Sequence, residues 1–145
     1  MDPNPSYMSI SPTYLKTFII PQSAIDENGH VNNVAYVQWM QDIAVEHYSS
    51  IGGVTAQGPN ATWVVREHRI EYLLPAFEGE EIEIKTWVEN IRRVRSLRKY
   101  EFVRKSDAKL LVKGETDWVY VDTKTGRPLP IPENVSSVFN PNREK

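Results

Sequence analysis

The run from Asn33 to Ser50 contains neither Pro nor Gly, and Tyr36, Met40, Ile43, Ala44, His47 and Ile51 recur along it at helical spacing. No other stretch of the chain keeps that period, so one long helix is the fixed point for everything else. Its apolar stripe is wide and partly aromatic, which predicts a helix enclosed by its surroundings rather than laid on a surface. At about 1.5 Å per residue it makes a rod of roughly 27 Å. Gly52-Gly53 ends it.

A short polar turn feeds this helix. Asp26, Asn28, His30, Asn32 and Asn33 crowd together ahead of its first turn. Gly29 can take a backbone conformation closed to other residues, and Asn32 or Asn33 can accept the helix's first orphan N–H groups. A helix N-terminus favours negative charge, including the oxyanion formed when a carbonyl is attacked. Asp26 could therefore act as nucleophile or general base. It could equally be a turn-former, since Asp before Gly commonly bonds its own backbone. His30 could bind or deprotonate water, orient Asp26, or be satisfied by the loop. The backbone N–H groups of Gly29 to Val31, or of the first helical turn, are candidates for the oxyanion contact.

The remaining segments alternate with a period of two. Tyr14 to Ile20 is a first strand closed by Pro21. After a loop through Gly58-Pro59-Asn60, Thr62 to Leu74 reads as a long strand with Val64, His68, Ile70 and Tyr72 on one face and Arg66 as the exception. Glu80 to Ile91 alternates most cleanly, with Ile82, Ile84, Thr86 and Val88 on one face. Arg95 to Lys105 and Leu110 to Val121 complete a meander. Strand, turn, long helix and four more strands predict an α+β domain: an antiparallel sheet curled around one helix.

A chain of 145 residues, 40% hydrophobic, is expected to form a single domain over residues 1–145, with 1–12 and 133–145 as flexible tails. Pro128, Pro130 and Pro132 argue against regular structure near the end. A net charge of -2 gives no global reason to expect nucleic acid or an anionic membrane. The absence of cysteine excludes disulfides, thiolate-bound zinc and a cysteine nucleophile. With no basic n-region and only Thr17 to Ile20 as an early apolar run, a cytoplasmic protein is expected.

Asp26-x-Asn28-x-His30-Val-Asn-Asn, followed by Tyr36 and Trp39, resembles the signature of hotdog-fold thioesterases of the 4-hydroxybenzoyl-CoA and acyl-ACP branches. His68 to Gly79 and Asp122 to Pro130 resemble that family too, so the likeness runs from Tyr14 to Pro132. The resemblance implies an acyl-CoA or acyl-ACP thioester hydrolase of hotdog fold that uses neither metal nor redox cofactor. It implies a homodimer or homotetramer with substrate at the protomer interface. It suggests Asn28 as an orienting amide, Asn33 and Tyr36 as substrate contacts, and Glu71 as a second acid. By alternation, however, Glu71 lies opposite His68, Ile70 and Tyr72. The acyl-CoA branch has an aromatic-His pair where this chain has Asn32-Asn33, a departure that favours His30 over any role borrowed for position 33.

Ile91 to Lys99 carries five cations in nine residues. Such a hairpin is either simply solvated or a site where Arg92, Arg93 and Arg95, helped by Ser96, hold the phosphates of CoA or an acidic carrier protein. Two alternatives to hydrolysis stand beside it: a hydroxyacyl-thioester dehydratase and a non-catalytic acyl-thioester-binding module.

Overall fold

The computed structural model describes residues 11–140. Its strands are β1 (Tyr14–Ile19), β2 (Ala61–Tyr72), β3 (Glu81–Arg92), β4 (Arg95–Arg104) and β5 (Leu110–Asp122), and its helices are α1 (Asn33–Ser50), α2 (Gly53–Gln57) and α3 (Glu133–Ser136). All strand pairs are antiparallel, in the order β1-β3-β4-β5-β2. β1 and β2 are therefore the two edges. The sheet wraps α1 as the hotdog fold requires.

The period-3.6 stripe is what the sheet grips. Tyr36, Met40, Ile43, Ala44 and His47 are buried, against Ile82 and Ile84 of β3, Tyr100 and Phe102 of β4, and Leu111 and Val112 of β5. Met40 and Ile43 are at most 1% exposed, and each such side chain contributes about 1.5–3 kcal/mol on leaving water. Gly114 of β5 makes room for the helix, because a Cβ there would lie 2.9 Å from Met40 Sδ. Ile82, Ile84, Thr86 and Val88 are all buried, as their alternation predicts.

Three expectations need correction. The phase of β2 is broken by a bulge between Val65 and Glu67. A bulge adds one residue to one strand and flips every side chain beyond it. His68 thus faces α1 while Val64 is 43% exposed. The segment after Gly52 is not all loop, since residues 53–57 form α2 behind Gly52 at φ 86°.

The tail from 133 is likewise no free end as far as residue 140. α3 and the turn after it bury Val135 and Phe139, because Leu129 and Ile131 alternate with the prolines and carry the chain back against Tyr120. Ser11 is also buried, its hydroxyl accepting from Val88 N at 2.7 Å. Residues 1–10 and 141–145, the rest of the expected tails, lie outside the described residues. Among the described residues no helix is long and apolar enough to cross a membrane.

The α1–α2 corner gives a stability prediction. A Cβ on Gly53 would sit 2.1 Å from Tyr48 Cε1. That ring cannot swing away, being held by Phe139 at 5.7 Å, Trp63 at 6.2 Å and a 2.8 Å hydrogen bond from its hydroxyl to Gln57 Oε1. Gly53→Ala is expected to cost about 1–3 kcal/mol, measured by urea denaturation.

Candidate active site

The turn ahead of α1 is pinned at both ends. Ile25 and Val31 form an antiparallel bridge, and Asp26 N donates to His30 O at 3.0 Å. Val31 is buried and donates to Ala76 O at 2.9 Å, while Asn32 N donates to Ala24 O at 2.8 Å. Asn32 then caps α1, its Oδ1 accepting from Val34 N at 2.7 Å. Gly29 provides the positive φ of 84° that the reversal needs.

Within this frame Asp26 and His30 are half-buried and Asn28 is exposed. Asp26 Oδ1 accepts from Asn28 N at 2.9 Å, an Asx-turn, so the turn-forming reading holds. That bond occupies one carboxylate oxygen. His30 stands edge-on to Phe77, with ring centroids 6.4 Å apart.

Two of the expected oxyanion donors are already committed. Gly29 N donates to Asp26 O at 3.0 Å, and Val31 N to Ala76 O, because the same bonds that rigidify the turn consume them. Among the described residues the N–H groups of His30 and Asn33 donate to nothing, and these two flank the cap.

An aromatic floor supports the helix start. Tyr36 meets Phe102 at 5.1 Å, Trp39 at 5.5 Å and Tyr72 at 5.7 Å, and Tyr72 Oη donates to Asn33 O at 3.2 Å. Burial first, then the neighbouring Tyr72 and Glu80, push the Tyr36 phenol up to about 12. Around the turn, Val34, Tyr72, Leu73, Leu74 and Phe77 are all at least 40% exposed. A rim of large apolar groups left in water marks a surface that something covers.

The other expected site residues are elsewhere. Glu71 projects from the outer face of the sheet among Arg69, Glu89, Lys113 and Glu115, since alternation after the bulge puts His68, Ile70 and Tyr72 inward. The cationic hairpin is at the far end of α1: β4 runs so that Phe102 lies under Tyr36 while Arg98 lies at His47. Arg92 and Arg93 are exposed at its tip, with Arg93 at φ 48°. Arg95 is neutralised by Asp117, which pairs with both its Nε and its Nη2 and also takes Arg66 Nη1 at 3.1 Å. Ser96 is buried and points inward. The hairpin is thus no single phosphate claw in this chain.

Sequence reasoning gave no role to one inward polar group, His68, and misplaced another, Arg98. His68 Nδ1 lies 2.8 Å from Thr116 Oγ1 and Nε2 3.2 Å from Gln41 Nε2, and burial holds its pKa below the ordinary value. Arg98, counted with the solvated cations, is 3% exposed. Its Nη1 lies 2.9 Å from His47 Nδ1 and 3.1 Å from Thr86 Oγ1. Its place in the same inward phase of β4 as Tyr100 and Phe102 was the available signal. Among the described residues no group of three or more His, Asp or Glu side chains could hold a metal ion.

His47 carries a pH prediction. Burial, then the charge of Arg98, lowers its pKa to about 4. An unfolded histidine titrates near 6.5. Above that value both states are neutral and the residue contributes no pH dependence. As pH falls from about 6.5 to about 4 only the unfolded state gains the proton, so stability drops by on the order of 3 kcal/mol at most. Chemical denaturation at pH 7 and pH 4 should show this loss, and His47→Gln should shrink it.

The chain matches the family described as the thioesterase-like superfamily over residues 20–139. Among curated protein sequences none matches it significantly. Among solved structures it resembles a 1,4-dihydroxy-2-naphthoyl-CoA thioesterase from Synechocystis, at 17% identity and TM-score 0.78 over 88% of this chain and 96% of that one. It resembles a Staphylococcus aureus protein solved in complex with CoA, at 18% identity and TM-score 0.79 over 95% of this chain and 90% of that one. It also resembles an acyl-ACP thioesterase from Bacteroides thetaiotaomicron, at 24% identity and TM-score 0.76 over 82% of this chain and 49% of that one. These likenesses share the fold described above. With the family match spanning turn, helix and sheet, the chain belongs to the thioesterase-like superfamily.

Proposed function

We propose that this chain hydrolyses an acyl-CoA or acyl-ACP thioester at the Asp26 turn. One observation carries the reading: the pinned turn that opens an enclosed helix holds a half-buried carboxylate with one oxygen outside the turn's own bond, together with the uncommitted N–H groups of His30 and Asn33. Asp26 either attacks the thioester carbonyl carbon to give a mixed anhydride, which water then opens, or removes a proton from the water that attacks. In both routes the carbonyl oxygen becomes an oxyanion, the C–S bond breaks and the thiolate leaves. The N–H groups of His30 and Asn33 stabilise the oxyanion. His30 and Asn28 orient the carboxylate and the water, and His30 can protonate the departing thiolate.

The assembly follows from the free edge. β2 is an edge strand whose C-terminal end reaches Asn33 through Tyr72. An uncovered edge of that length invites pairing, and a second copy pairing antiparallel along β2 forms a homodimer. The second copy's α1–α2 corner then sits beside the first copy's turn. Exposed Arg92 and Arg93 remain as contacts for carrier phosphates. The two carriers are separated by thiol release from matched acyl-CoA and acyl-ACP esters. A rate on either supports the reading, and the larger kcat/KM names the carrier. No release from either carrier contradicts it. Light scattering of the same sample should give the mass of two chains.

A further inference from the structure

A cavity of about 200 Å³ lies beside the C-terminal half of α1, walled by Ala44, Tyr48, Trp63, Ser96, Arg98 and Phe139 among others. It is smaller than a typical pocket for a whole ligand, roughly 300–1,000 Å³, so it fits one end of a molecule. Along α1 its walls begin roughly 16 Å from Asn33, too far for the reacting carbonyl at the same chain's turn to occupy it.

What distinguishes this cavity is a buried cation without a carboxylate partner in a mostly apolar wall. Arg98 spends Nη1 on neutral acceptors, His47 Nδ1 and Thr86 Oγ1, and Phe139 lies 6.0 Å from its Cζ. Among the described residues no carboxylate pairs with it. Burial lowers its pKa only to about 10, so it stays charged at neutral pH. Leaving a desolvated cation without an anion is costly, and a guanidinium fork matches a carboxylate in two bonds. A carboxylate on an apolar stem would complement both the cation and the wall.

We propose that this cavity seats the far end of the acyl group and that Arg98 binds a terminal carboxylate there, so that the preferred substrates are ω-carboxyacyl thioesters. The inference rests on the thioesterase reading and adds the substrate class. In the proposed β2-paired dimer the cavity of one copy would lie toward the turn of the other, giving the acyl chain its path.

The test compares adipoyl-CoA with hexanoyl-CoA, matched in carbon number, in wild type, Arg98→Met and Arg98→Lys. Wild type should favour adipoyl-CoA by about 10-fold or more in kcat/KM, Arg98→Met should reverse that preference, and Arg98→Lys should keep part of it. Replacing a buried unpaired charge by an apolar side chain should leave the Tm equal or higher. An unchanged substrate ratio in Arg98→Met overturns the proposal.

If neither ester is hydrolysed by any of the proteins, the thioesterase reading fails separately. The carboxylate claim is then read from quenching of Trp63 and Trp118, which line the cavity, by hexanoate. Quenching in wild type that is absent in Arg98→Met supports a carboxylate site, and identical responses overturn it. Where the esters are hydrolysed, hexanoate quenching through Arg98 without any adipoyl-CoA preference means that a free acid, not an acyl terminus, fills the cavity, and it overturns the substrate assignment.

Discussion

Asp26→Asn is expected to lower kcat by about 10²- to 10⁴-fold while leaving KM and thermal stability near wild type. The substitution is informative because the turn and the proposed chemistry ask different things of the carboxylate. As a turn-former it needs only an acceptor for Asn28 N, and an amide oxygen supplies one in the same place. As nucleophile or base it needs a negative oxygen, which the amide lacks. Asp26→Ala removes both functions and should add a stability loss of about 1 kcal/mol, the usual cost of a lost side-chain cap or turn bond. Steady-state thiol release and a melting curve on the two variants separate chemistry from folding. A normal rate in Asp26→Asn assigns the carboxylate to the turn alone.

The largest stability effect is expected at Phe102. It is 0% exposed, its ring meets Tyr36 edge-on at 5.1 Å and Trp39 at 6.4 Å, and it joins β4 to the first turns of α1. Phe102→Ala should cost about 3–5 kcal/mol, since it removes the transfer free energy of the ring and leaves a cavity between sheet and helix. The Tm should fall by on the order of 10 °C or more. Tyr36 sits directly under the capped turn, so residual activity of the folded fraction should fall as well. A melting temperature within about 2 °C of wild type, a bound well below that expectation, would show that the helix start does not depend on this contact.

The parts of this molecule legible in the sequence are those where a single physical effect outweighs the rest. Burial of one face fixes the period of α1 and of β3, and both run where alternation and the Gly52-Gly53 stop place them. The turn was legible because capping and positive φ select Asn and Gly. The misreadings share a cause: local circumstances overrode the average behaviour of the residue type. The bulge between Val65 and Glu67 moved Val64 outward, off the face it was expected to share with His68, and no side-chain pattern announces an extra backbone residue. Arg98 was grouped with exposed cations by type, although its place in the alternation of β4 put it inside. Three prolines suggested a free tail, yet Leu129, Ile131, Val135 and Phe139 hold it to the body. Gly29 and Val31 lie where expected, but tight turns consume backbone donors, leaving His30 and Asn33 open.

Whether a carboxylate at the positive end of the enclosed helix opens a thioester is decided by one pair of progress curves. These follow free-thiol release by wild type and by Asp26→Asn from the same acyl-CoA ester, at equal concentrations of folded protein. The predicted result is steady release by wild type and a rate at least about 100-fold slower in the variant. Superimposable curves from the two proteins would contradict it.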